Sequence, residues 1–388
     1  MRTEVYAVVA LLMLGAGVRA QSVAPYASIA ADGESYAGPG RAAANDLTGQ
    51  IVHIGMLAPM HGPRKAEGDA MVAAAEIALQ DAGGAALPGG RRVALAVQDE
   101  SGPSWGVVSD AVIHLVMEDD VVAMITSTSG ADAHLCEQVG NRLGVPVMTL
   151  AADATTTQID IPWIFRMGAS DVDEAQVMAQ NIYRERGLTK VMLITEQEHD
   201  GLRGVAAMEK AAVALGVAAP ESVTLDPLRV DVGFVVKKMV AEQPQAVVIW
   251  TDAATAGTFM RAMKAVKMKT ICLLSEDAVQ TSYGIDAANA SGAWTVAADG
   301  EGAPARQSFA RRYWQATGMI PSAAAMESYD AVVMTMRALR VAGANRARVR
   351  DELARVQNFA GVSGRISFDR EGNNRTVVHL VRMTEVQK

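Results

Sequence analysis

The sequence predicts an α/β protein built from two parallel sheets in series. Three observations carry this. Short apolar runs alternate with segments whose apolar residues recur at i, i+3, i+4 and i+7, the period of a helix lying on a sheet. The alternation runs to about residue 149, breaks in a small, polar stretch, and then restarts. The chain is 50% hydrophobic but only 5% aromatic, so its core is aliphatic, as strands buried on both faces require. A length of 388 residues also exceeds the roughly 250–300 residues at which one core stops growing.

The chain opens with MRTEVYAVVALLMLGAGVRAQ. Arg2 begins a short charged region, Val5 to Val18 form an apolar stretch shorter than the roughly 20 residues of a membrane span, and Val18-Arg19-Ala20 has a small-x-small pattern. Residues 1–20 are read as a signal peptide cut after Ala20; a short membrane anchor is the alternative, since Glu4 sits in the charged region. No cysteine near the cut offers a lipid attachment, and no later stretch is apolar enough to span a bilayer. Residues 21–50 are rich in Gly, Pro and small polar residues without a period, and are read as a flexible arm.

Regular alternation begins at Ile51. IVHIGML is a strand, and Met71, Ala74, Ala75, Ala78 and Leu79 form a helical stripe. VALAV (93–97) is a strand before a helix with Val108, Ala111, Val112, Leu115 and Val116 on one face. VVAMIT (121–126), a helix over 131–142 and VPVMT (145–149) follow. LAADATTT then leads through IPWIFRMGASD, read as a crossover. Beyond it come a helix near 172–186, the strand KVMLIT (190–195), a helix carrying Val205, Met208, Ala212 and Leu215, the strand QAVVIW (245–250), a helix over 254–266 and the strand TICLLS (270–275). A long amphipathic helix spans 322–342. GRISFD and RTVVHLVRM read as a hairpin with Asp369 to Arg375 in the turn.

Parallel sheets place binding loops at the carboxyl ends of their strands. These loops are APMHGPRKAEG, QDESGP, STSGADAH and LAADATTT in the first half, and EQEHDG, TDAAT and EDAVQ in the second. They are small and acidic. A net charge of −8 excludes the basic face that nucleic acid needs. No GxxxxGKS/T loop, GxGxxG turn, GxSxG elbow or HExxH helix occurs. The six histidines show no metal spacing, and His134 reads as a surface residue. Cys136 and Cys272 read as small buried apolar groups. With no nucleophile, metal, cofactor or phosphate motif, binding is expected rather than catalysis.

Residues 51–388 resemble the periplasmic leucine/isoleucine/valine-binding proteins, type I solute receptors of ABC importers. The resemblance rests on IGMLAPMHGPRKAEGDAMVAAAEIALQDAGG with its Gly62-Pro63 and Gly68, on QDESGP before the second helix, and on GVPVMTLAAD, which is similar to a Gly-Val-Pro-Val strand leading to a Pro-x-Ala-Thr loop. It implies two Rossmann-like lobes joined by three crossovers, with the ligand between them. The expected lobes are 51–168 plus 294–360 and 169–293 plus 361–388.

The same resemblance selects candidate ligand-binding residues. Ser129 and Gly130 start a helix whose free N–H groups suit a ligand carboxylate; ordinary capping by Ser129 is the alternative. Ala151 and Ala152 would let a ligand approach the backbone, and Asp153 stands where the family has a threonine at the ligand's amino end. Glu67 and Asp200 stand where the family has aromatic residues. Asp252 reads as a helix cap or a contact, Thr255 lies near the family's amine-binding acid, and Glu276 follows a strand. Unpaired buried carboxylates are costly, so this acidic set suits a ligand with a cationic group. The expected protein is a monomeric periplasmic receptor, not an enzyme. It would bind a small polar, amino-acid-like ligand and dock on an ABC permease in the inner membrane. A sensor or scaffold of the same fold is the alternative.

Overall fold

The computed structural model describes residues 35–383, apart from 37, 84–86, 88, 159–161, 227–228, 281–289 and 299–303. The expected signal segment lies outside the described residues.

The first sheet has the order β2-β1-β3-β4-β5, all parallel, from β1 (Ile51–Ala58), β2 (Arg92–Asp99), β3 (Ala123–Thr126), β4 (Val147–Thr149) and β5 (Ile164–Arg166). Helix α1 (Lys65–Asp81) covers one face and α2 (Ser109–Met117) and α3 (Gly130–Leu143) the other. This sandwiching explains why β1, β3 and β4 are continuous apolar runs rather than alternating ones. The expected stripes point inward: Met71, Ala74, Ala75 and Ala78 of α1 are buried, as are Ala111, Val112, Leu115 and Val116 of α2.

The second sheet has the order β13-β10-β9-β8-β6-β7. Its strands are β6 (Val191–Glu196), β7 (Glu221–Leu225), β8 (Ala246–Trp250), β9 (Ile271–Leu274), β10 (Trp294–Ala298) and β13 (Val378–Arg382). β13 runs antiparallel to β10; the other pairs are parallel. Helices α4 (Asp171–Ala179) and α5 (His199–Ala214) pack on one face, and α6 (Val232–Glu242), α7 (Ala253–Ala265) and the short α8 (Glu276–Val279) on the other. The chain then returns to the first lobe as α9 (Pro304–Thr317), α10 (Ala323–Ala342) and α11 (Arg346–Ala354), with α10 lying along α1. Cys136 and Cys272 are free and buried, one in each lobe.

Four expectations are corrected. Trp294–Ala298 pairs with β9 and β13, so the boundary at 294 moves: this strand belongs to the second lobe, and the first resumes at α9. The C-terminal hairpin is confined to its turn, where Phe368 and Asn374 form an isolated antiparallel bridge, and its two arms pair elsewhere. β12 (Arg365–Ile366) pairs with β11 (Phe359–Ala360), and β13 pairs with β10. Ile366 and Phe368 sit in the first lobe's core, so residues following 360 belong there until β13. IPWIFR is not merely a connection. Its last three residues are edge strand β5, and Arg166 is buried, with its amide donating to the Gly372 carbonyl at 2.9 Å.

The fourth correction concerns the arm. Its described part, from residue 35, is anchored to the first lobe. Tyr36 is 6% exposed and meets Trp163 edge-on at 4.7 Å between ring centroids. Its amide donates to Asp351 Oδ1 at 2.8 Å, Arg41 pairs with the same carboxylate, and Arg348 holds Asp46 at 2.8 Å. No repeating pattern marks such an arm, because it follows the contour of a finished domain rather than a helix or strand.

Candidate functional site

The carboxyl ends of the two sheets face each other across a cavity of about 210 Å³. Each wall comes from loops that follow a strand. Arg64 and Glu67 follow β1, Thr128 and Ser129 follow β3, and Glu196, Glu198 and Asp200 follow β6. Trp250 ends β8, Asp252 follows it, and Asp277 and Gln280 follow β9. Six carboxylates, Glu67, Glu196, Glu198, Asp200, Asp252 and Asp277, thus line the cavity with one guanidinium, Arg64.

Glu67, only 4% exposed, is already paired. Arg64 Nη2 and Nε donate to its two oxygens at 2.8 and 3.0 Å, and the Thr128 amide and hydroxyl donate at 3.2 and 3.0 Å. Arg64 also reaches Ser127 and Thr128 hydroxyls at 3.1 and 3.3 Å and lies 3.5 Å from Glu100. Burial pushes Glu100 up to about 8 against the pull of Arg64.

Among the described residues no guanidinium is hydrogen-bonded to the remaining acids of the cavity. Burial pushes Asp200 up to about 6, with His199 and Arg64 pulling it back. Burial and then the neighbouring Asp252 push Glu196 up to about 7. Asp277 is raised well above the carboxylate range by burial and by the charges of Asp200, Glu67 and Glu276. Proton uptake is the cheapest way for such a cluster to shed repulsion; a cation does the same without protonation.

Of the residues expected at the ligand, Glu67, Ser129, Asp200 and Asp252 line this cavity. Ser129 also caps α3, accepting from the Asp132 amide at 3.3 Å. The Gly130 amide donates to both Asp200 oxygens at 3.1 and 3.2 Å, so a side chain of the second lobe occupies the helix N-terminus where a ligand carboxylate was expected. Asp252 caps α7 through the Thr255 amide at 2.8 Å and hydroxyl at 3.1 Å. Thr255 therefore faces its cap and lines an adjoining depression instead. Glu276 lines a separate cavity beside Glu327, and burial pushes it up to about 7.

The loop after β4 is placed differently from expectation. Ala151 is buried, with its amide on the Thr149 hydroxyl at 3.1 Å, and the Ala152 carbonyl accepts from the Asp171 amide at 2.7 Å. Asp153 turns from the cavity. Its Oδ2 meets His134 Nε2 at 3.0 Å and His199 Nε2 at 2.6 Å, and its Oδ1 meets Arg203 Nε at 3.1 Å. Burial favours its neutral form, but the hydrogen bonds from both histidines and from Thr155 hold it well below the usual carboxylate range. His134 is no surface residue: its side chain is 26% exposed, and bonds to Asp153 and then Glu137 push it up to about 10. The expectation of scattered histidines is corrected as well, because His134 and His199 come from different lobes and meet only across the closed cleft.

Sequence reasoning missed Arg64, Glu196, Glu198, Trp250, Asp277, Gln280 and His199. Most lie in loops already marked as post-strand and acidic. Trp250 was hidden as the last residue of an apolar strand.

Comparison with known proteins agrees with this architecture. A family model described as "Periplasmic binding protein" matches residues 51–388. A Leu/Ile/Val-binding protein homolog of Brucella melitensis is 27% identical over 297 residues, which is 75% of this chain and 79% of the relative. A leucine-binding protein of Thermotoga maritima superposes with a TM-score of 0.75 at 19% identity, covering 86% of this chain and 95% of its own. A benzoate-bound solute-binding protein of an ABC transporter from Rhodopseudomonas palustris gives 0.77 at 17% identity, covering 86% and 93%. At those identities the two structures attest the fold, not the ligand. Among the described residues no helix is long and apolar enough to cross a membrane. The match over residues 51–388, together with two largely parallel sheets facing a shared cleft, shows that this chain belongs to the periplasmic binding protein family.

Proposed function

We propose that the protein is the exported solute receptor of an ABC importer and binds a small ligand carrying a cationic, amine-type group between its lobes. The observation behind this reading is the cavity itself, where six carboxylates face one arginine that is already paired with Glu67. Burial, joined by repulsion from neighbouring acids at Glu196 and Asp277, raises the pKa of Glu196, Asp200 and Asp277, and a cation entering there stabilises their ionised forms. Trp250 supplies an aromatic wall, which adds attraction for an ammonium group. The contacting residues in this reading are Glu67, Ser129, Asp200 and Asp252 together with Glu196, Glu198, Trp250 and Asp277. A cavity of about 210 Å³ is below the roughly 300 Å³ at which drug-sized ligands begin, so the ligand is small.

Asp200 on the Gly130 amide also argues against a free α-carboxylate at α3. Amines, amides and polyamines therefore rank above the branched-chain amino acids suggested by the names of several relatives. In this reading the protein is cut after Ala20, reaches the periplasm as a monomer, closes on its ligand by hinge motion at the crossovers, and presents the closed form to a permease. Thermal-shift screening of the purified protein against amino acids, amides, polyamines and aromatic acids, followed by calorimetry, tests it. Cationic compounds should give the largest shifts. Benzoate-type anions outranking them would overturn the cationic reading, and no response from any class would favour the sensor or scaffold. N-terminal sequencing that begins at Met1 in exported material would reject the cleavage site.

A further inference from the structure

We propose that His134, Asp153 and His199 form a site for a first-row divalent cation of the zinc type that bridges the two lobes. One donor atom from each lies within 4.8 Å of the others. The two Nε2 atoms converge on a single carboxylate oxygen, Asp153 Oδ2, at 3.0 and 2.6 Å. Two imidazoles and one carboxylate suit zinc, nickel or copper far better than calcium or magnesium, which prefer all-oxygen sets.

The supporting groups are those such a site needs. The other ring nitrogen of His134 meets Glu137 Oε1 at 3.0 Å, and the Glu137 side chain is 1% exposed. A carboxylate on the far ring nitrogen fixes the tautomer and orientation of a metal-binding histidine. Asp153 is held through its other oxygen, by Arg203 Nε at 3.1 Å and the Thr155 amide at 2.8 Å, which leaves Oδ2 aimed at the two rings. Tetrahedral zinc with bonds of about 2.0–2.2 Å sets its donors roughly 3.3 Å apart, so ring shifts on the order of 1 Å admit the ion. Ligation uses the Nε2 lone pairs, and the protons the rings share with Asp153 leave as the metal enters. Three protein ligands leave a fourth position for water.

His134 and Asp153 belong to the first lobe and His199 to the second. The full ligand set therefore exists only when the lobes are closed, and the ion stabilises that form by its differential affinity. This site is separate from the proposed ligand cavity, whose lining includes none of the three residues.

The test is calorimetric titration of the chelator-treated full protein with zinc, and with cobalt followed by its visible absorption. One ion per chain is expected, with the intense cobalt bands of tetrahedral coordination. His134→Ala and His199→Ala should each weaken zinc binding at least tenfold and abolish those bands. Glu137→Gln should weaken it about tenfold, as loss of an outer partner does. His114→Ala, which alters a half-buried histidine beside Glu118, should change nothing. Melting curves of the metal-free variants verify folding, and His134→Gln and His199→Gln replace any alanine variant that is unfolded. No saturable binding at about 1 mM zinc, equivalent to less than roughly 4 kcal/mol, would overturn the proposal and leave a hydrogen-bonded contact between the lobes. Affinity unchanged in both histidine variants, or calcium binding as tightly as zinc, would overturn it equally.

Discussion

His199 Nε2 of the second lobe lies 2.6 Å from Asp153 Oδ2 of the first, a direct bond across the cleft between residues 46 positions apart. Arg203, one turn further along α5, reaches Asp153 Oδ1 at 3.1 Å and Asp171 at the same distance. One buried carboxylate thus serves several partners at the contact between the lobes, beside the bond from the Gly130 amide to Asp200.

Asp153→Ala should loosen closure rather than remove a ligand contact. It leaves His134, His199 and Arg203 without their common acceptor. Truncating one member of a buried charged pair costs about 2–5 kcal/mol, or more than one decade in an equilibrium constant. Small-angle scattering should show a larger radius of gyration than wild type, and any ligand of the closed form should bind more than tenfold more weakly. A variant as compact as wild type would assign Asp153 only to its local turn.

Gly130→Ala should block closure by a steric route. A Cβ there would lie 2.4 Å from Asp200 Oδ1 and 3.0 Å from both Asp153 Cβ and His199 Cδ2. Alanine suits the first turn of a helix, and the approach to Asp153 asks for a small shift within the first lobe, so that lobe should still fold. Scattering at saturating ligand should then remain that of an open form, while circular dichroism matches wild type. Normal compaction on ligand addition would show that Asp200 and His199 can move aside without loss.

Affinity for a cationic ligand should rise with pH. Burial and Asp252 push Glu196 up to about 7. The ionised form binds a cation, so affinity is reduced below that value and fully present above it. For one such group the gain between pH 6 and 8 is about tenfold by proton linkage. Glu196→Gln should flatten this profile, and calorimetry in buffers of different ionisation heat should detect proton release. A profile that is flat in wild type would remove Glu196 from the binding site.

Gly204→Ala should damage the aromatic wall of the cavity. A Cβ at this α5 position would come within 2.6 Å of the Trp250 ring. Overpacking of this kind costs about 1–3 kcal/mol. The melting temperature should fall and Trp250 fluorescence should shift as the ring is displaced. Unchanged stability would mean that α5 can lift from β8 at little cost.

Tyr36→Ala should destabilise the first lobe, although the residue lies outside both sheets. The ring is buried against Trp163, and deleting a buried aromatic side chain costs on the order of 3 kcal/mol. Denaturant melts of the variant and of a chain beginning at residue 51 should show comparable losses. Wild-type stability in both would return the arm to the flexible role its composition suggests.

By itself the sequence determined what is local or periodic. Helical stripes such as Met71, Ala74, Ala75 and Ala78, and apolar runs such as VVAMIT, name their own elements, because burial on a sheet imposes a fixed period. Parallel alternation then places polar loops at one end of each sheet, and the family resemblance singled out Glu67, Ser129, Asp200 and Asp252 within them. Tertiary structure alone decided what depends on distant partners. Trp294–Ala298 joined the second lobe because β9 and β13 flank it, and neither neighbour is visible from its own residues. Tyr36 is fixed by Asp351 and Trp163, far along the chain. Asp153 meets His199 only when two lobes with separate cores close on each other. No spacing rule within one segment can carry that information, since the distance between His134 and His199 is set by the docking of two folded bodies and not by the chain between them.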